Sequence, residues 1–79
     1  MPVVCVSEQG AIIGRIIFRG IVITMPDGSA KIPYPEQEPS YECDPPDCVP
    51  EHVIQRIAGK LATNSVVGEE PPDYDWQVE

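Results

Sequence analysis

The chain has 79 residues and a formal net charge of −8, a size that holds one hydrophobic core and leaves no room for a second. Arg15 and Arg19 interrupt the longest apolar run, Ala11 to Met25, so no segment reaches the ~20 apolar residues that span a bilayer. The first residues carry neither a basic n-region nor a long apolar stretch. The expected setting is therefore intracellular, cytoplasmic or within a virion, rather than signal-peptide secretion.

The first third is rich in β-branched residues: Val3, Val4 and Val6, then Ala11–Phe18, then Ile21–Thr24. That composition favours strands. Gly10 and Gly20 punctuate the runs, and Met25-Pro26-Asp27-Gly28-Ser29 is a turn sequence, because Gly28 adopts positive φ cheaply. The expectation is a three- or four-stranded antiparallel meander over residues 2–34, with a tight turn or a bulge at Arg19-Gly20. Alternation in Ala11–Phe18 is imperfect, so both faces of this sheet call for cover.

Residues 35–49 contain Pro35, Pro39, Pro45 and Pro46 between acids, with Tyr41 the large apolar side chain. Repeated proline excludes helix and interior strand, which leaves an extended acidic linker. Helical periodicity begins at Pro50 and ends near Thr63-Asn64, with Val53, Ile54, Ile57, Ala58 and Leu61 on one stripe. An amphipathic helix with Gly59 in its interior needs a sheet face to pack on. Residues 65–79 show no periodicity, carry Pro71 and Pro72, and hold the one tryptophan of the chain. They read as an acidic aromatic tail.

The fold class expected from this pass is α+β: a small antiparallel β-meander of three or four strands, one C-terminal amphipathic helix, and extended Pro-rich acidic segments. Residues 1–34 and 50–64 form the domain, 35–49 the linker and 65–79 the tail. The charge follows the same division. Residues 36–51 hold six acids and no Lys or Arg, and 69–79 hold five acids and no Lys or Arg.

Cys43, Cys48 and His52 form a C-x4-C-x3-H constellation, with Cys5 distant on the first strand. Three thiolates and an imidazole suit a zinc ion. The same two neighbouring cysteines also suit a disulfide, and unlinked structural cysteines are the plainest alternative. Cys48 with His52 lacks the orienting group and oxyanion site that a nucleophile needs. The sequence also carries no phosphate loop or catalytic signature, so the expectation is a non-enzyme.

Six charges over residues 36–51 give about one per 9 Å of extended chain, against one per ≈ 1.7 Å in duplex DNA. This spacing argues against close nucleic-acid mimicry and favours a solvated linker, and the scarcity of basic residues argues against direct nucleic-acid binding. Asp73-Tyr74-Asp75-Trp76 places two aromatics among acids, a composition suited either to docking on a partner or to folding back on the sheet. With Tyr41, these four are the candidate partner-binding residues.

The functional expectation is a structural or adaptor subunit that binds other proteins as an oligomer or hetero-assembly, for which a small phage virion or tail component is one setting. One alternative is an acidic inhibitor that occupies a basic site on a host enzyme or nucleic-acid-binding complex. Another is a small zinc-stabilised interaction module.

Overall fold

Residues 3–79 are described by a computed structural model. Strands β1 (Val4–Glu8) and β2 (Ala11–Arg19) form a hairpin closed by Gln9 and Gly10, at φ 52° and 84°. Positive φ at both central residues matches the twist of the flanking strands, which is why a glycine stands there. The ladder carries a bulge between Val6 and Ser7: Val6 faces Gly14, but Ser7 faces Ile12. This extra residue explains the imperfect alternation. Ile16 and Phe18 point to the core, whereas Ile12 is displaced to the opposite face and is 64% exposed.

At Gly20, φ +71°, the chain leaves the sheet, and the Gly20 amide donates to the Pro33 carbonyl. A side chain at Gly20 would collide with the backbone of Gln37. Strands β3 (Ile23–Thr24) and β4 (Ala30–Lys31) form a separate two-stranded sheet. Their turn stands where the sequence places it, held by Asp27 Oδ1, which accepts from both the Ser29 amide and the Ser29 hydroxyl. Those two bonds, the hydroxyl first, hold the Asp27 carboxyl below its ordinary pKa.

Two features correct the expected architecture. Helix α1 (Glu51–Ala62) lies in the middle of the chain and is followed by two strands, so it is not C-terminal. The main sheet has five strands rather than a meander of residues 2–34. It recruits β5 (Ser40–Asp44), β6 (Val67–Glu70) and β7 (Tyr74–Val78) in the antiparallel order β5-β2-β1-β7-β6. The physical reason is that β1 is central. Its second edge needs a partner, and β7 supplies one in continuous register from Val4↔Val78 to Glu8↔Tyr74.

The helix covers one face of this sheet. Val53, Ile54, Ile57 and Leu61 pack with Val4, Val6, Ile16, Phe18, Trp76 and Val78, and Ile23 of the small hairpin completes the cluster. Thr24 Oγ1 donates to the Leu61 carbonyl at 2.7 Å in the interior, tying the hairpin to the end of α1. The helix stops in a Schellman arrangement. Asn64 sits at φ 69°, the Ser65 amide bonds the Lys60 carbonyl, and the Asn64 amide bonds the Leu61 carbonyl.

Trp76, 2% exposed, lies across Gly68 of β6. A methyl group at Gly68 would approach the indole to 2.8–2.9 Å, so the glycine is the space the ring occupies. On the same face Glu70 is equally buried, and Lys60 of α1 reaches it with Nζ 2.7 Å from Oε1, an ion pair outside hydrogen-bond alignment. Lys60 Nζ also donates to the Glu69 carbonyl at 3.1 Å.

Among the described residues, the other face of the main sheet has no second layer. Its central row runs Val67, Gln77, Cys5, Arg15, Asp44 across all five strands. Arg15 pairs with Glu79 at 3.2 Å and Arg19 with Glu42 at 2.9 Å. Long polar stems therefore shield this face, and Cys5 beneath them is only 5% exposed. Among the described residues, no helix is long and apolar enough to cross a membrane.

Candidate functional site

Strand β5 is an edge of the main sheet. It forms because residues 40–44 alternate: Tyr41 and Cys43 turn toward the core while Ser40, Glu42 and Asp44 are exposed. Pro39 precedes the strand and Pro45 follows it, which confines it to five residues. On its outer side, backbone donors and acceptors have no strand beside them.

The N-terminal part of helix α1 faces this edge across a groove, while its last turn reaches β6 at the opposite edge. Glu51, Ile54, Gln55 and Ala58, spaced i, i+3, i+4 and i+7, form one wall. Phe18, Ser40 and Tyr41 form the other. Tyr41 stands between two connected depressions, one of about 330 Å³ over Phe18 and Ala58 and one of about 390 Å³ beside Cys43, Pro46 and Asp47. Desolvation in this position, and then the Glu51 carboxylate, raise the pKa of the Tyr41 phenol.

Glu42, Asp47 and Glu51 are the acids that line the groove. Of the six acids in residues 36–51, Glu42 alone makes an ion pair among the described residues; Glu36, Glu38, Asp44, Asp47 and Glu51 have none. An apolar floor rimmed by uncompensated carboxylates suits a cationic partner with apolar side chains.

The cysteines divide between the two faces of the sheet. Cys5 faces Arg15, which faces Asp44, so Cys5 lies on the uncovered side and Cys43, one residue away from Asp44, on the helix side. The four-ligand set Cys5, Cys43, Cys48 and His52 is therefore not assembled. Among the described residues, no group of three or more His, Cys, Asp or Glu side chains converges as metal ligands. His52 is exposed in the first turn of α1.

Cys43 and Cys48 do meet. Both are free thiols within hydrogen-bond reach of each other, and the Cys48 sulfur fits over Gly14, where a side chain would displace it. Burial, and then the Cys43 sulfur, raise the pKa of the Cys48 thiol. Because the thiolate is the nucleophile, Cys48 is expected to react with iodoacetamide more slowly than an exposed thiol near pH 8. Peptide mass spectrometry checks this, and a labelling rate at Cys48 equal to that of free glutathione would contradict it.

The aromatic segment is largely built into the sheet. Trp76 is core, and Tyr74 is half-buried opposite Glu8. Asp73 is tied at the β6–β7 turn, where the Gln9 amide donates to its carbonyl at 3.3 Å and the Gln9 side chain to its carboxylate at 3.4 Å. Asp75 is exposed on the uncovered face. Of the five candidate partner-binding residues, Tyr41 alone lines the groove.

The sequence reading missed the helix wall, because Ile54 and Ala58 read only as core stripe. The alternation of residues 40–44 was the signal for the strand. No family model matches the chain, and neither a curated protein nor a solved structure matches it significantly.

Proposed function

We propose that this chain is a non-enzymatic subunit that binds other proteins within a larger assembly, and that it does so through the groove between β5 and α1. The observation that supports this reading is the pairing of an uncapped edge strand with an apolar groove bordered by Asp47 and Glu51, which have no ion pair among the described residues. The groove combines backbone, apolar and electrostatic means of recognition. The same chemistry serves an inhibitor docked on a basic site, since both roles need a cationic partner.

The test is site-specific photocrosslinking in the producing cell. A benzophenone side chain at Gln55, on the groove wall, is expected to capture one or a few discrete proteins, and the same group at Gln77, on the uncovered face, none. Capture from Gln77 and not Gln55 would move the binding surface to the other face. No capture from either would count against a protein-binding role.

A further inference from the structure

We propose that the occupant of the groove is an extended, basic segment of a partner protein that adds to β5 as a sixth strand. This rests on the protein-binding reading above and names its mode. Four observations carry it.

The first is the asymmetry of the two sheet edges. At the β6 edge, Lys60 already donates to the Glu69 carbonyl, and the strand has four residues, one of them Gly68 beneath Trp76. The β5 edge has five residues in regular register with β2 from Arg15↔Asp44 to Arg19↔Ser40. A regular ladder on one side presents a regular row of donors and acceptors on the other.

The second is the placement of the groove. Side chains of an added strand alternate, and those on the helix side recur about every 7 Å. They would fall on either side of Tyr41, into the two depressions of about 330 and 390 Å³. Phe18, Ile54 and Ala58 give the first of these an apolar floor, so aliphatic side chains belong there.

The third is charge. Asp47 and Glu51 line the groove and Asp44 ends the strand, all three without an ion pair among the described residues, and no Lys or Arg lies in residues 36–51. Lysine or arginine at the alternate, outward positions of the added strand would meet Asp44, and Glu42 beside its Arg19 partner, both on that face of β5. Opposite charges across a strand pair stabilise it.

The fourth weighs against a second copy as occupant. Antiparallel pairing of β5 with β5 centred on Glu42 sets Glu42 against its own counterpart, and pairing centred on Cys43 sets Glu42 against Asp44; like charges directly opposed destabilise a ladder. The partner is thus a basic chain of different sequence.

The probe is a fluorescent peptide of about nine residues alternating lysine and valine. Three analogues accompany it: two with alternate backbone nitrogens methylated, one in each register, and one with glutamate in place of lysine. Fluorescence polarisation is expected to show binding of the parent, a loss of about tenfold or more for at least one methylated register, and no binding of the glutamate analogue. Amide shifts in the ¹⁵N spectrum are expected at Ser40–Asp44 and at Gln55 and Ala58, and the folded variant Ala58→Phe, which fills the first depression, is expected to abolish them.

Several results would overturn the proposal: failure of the parent to bind, equal binding of both methylated analogues, shifts confined to β6 or the uncovered face, or a β5-mediated dimer by sedimentation. If crosslinking from Gln55 captures a protein while the peptides fail, strand addition falls and the protein-binding reading stands. If the peptides bind as described while no crosslink forms in cells, the mode of recognition stands and the assembly role falls.

Discussion

Trp76→Ala is expected to remove about 3–5 kcal/mol of stability, which for a domain of this size is most of what it has. The indole is 2% exposed, sits in the centre of a strand paired on both sides, and fills the space left by Gly68. Nothing smaller at position 76 can occupy that volume, and Gly68 has no side chain with which to close it. The variant is expected to be largely unfolded by far-ultraviolet circular dichroism at ambient temperature, with no cooperative urea transition. Trp76→Phe is the informative comparison. It loses ring volume but also removes the buried indole N–H, which has no hydrogen-bond partner, so part of the cavity cost is offset. A cooperative transition for Trp76→Ala within about 1 kcal/mol of the parent would show that the ring is not core. One corollary concerns binding assays: loss of binding in Trp76→Ala reports unfolding, not an interface.

Lys60→Met is expected to cost about 2–3 kcal/mol. Breaking a buried ion pair typically costs 3–5 kcal/mol because a charge is left without its partner, but the Lys60 side chain is 44% exposed and water screens part of the loss. Glu70 is where the penalty falls: it is 2% exposed, and Lys60 is the cation that meets it. The double variant Lys60→Met/Glu70→Gln is expected to regain most of the loss, since a neutral amide needs no counter-charge. Urea titration at neutral pH gives all three values. A single-variant cost under about 0.5 kcal/mol, typical of an exposed pair, would mean that Glu70 does not depend on Lys60.

Much of the helix and of the first hairpin was legible in the sequence, for reasons visible in particular residues. Val53, Ile54, Ile57 and Leu61 recur at helical spacing and all four are buried. Gln9-Gly10 separates two β-branched runs that do pair. The strands β5 and β7 were not legible, because proline and acidic side chains set the composition of their segments and masked a period of two. In β7, Trp76 and Val78 are buried while Asp75 and Gln77 are exposed. That is a half-buried strand written in residues which, taken by composition, describe a loop. The uncovered face was misread in a related way. The bulge at Ser7 moves Ile12 out of the core, and no local pattern announces a register shift. Tyr41 was singled out from sequence, but the groove around it was not, since its walls come from segments joined only by folding.

The place of β7 between β1 and β6 sets when the molecule can be completed. The β1–β2 hairpin closes on itself within microseconds of being made, yet the other side of β1 waits for residues 74–78, some 66 positions later in the chain. At ribosomal rates of about 5–20 residues per second, that wait lasts roughly 3–13 s. Throughout it, Val4 and Val6 sit on a strand with one unpaired edge, in a nascent hairpin rich in isoleucine. The hazard this chain faces is therefore greatest before its sheet exists, and it grows as translation slows rather than following the stability of the finished fold.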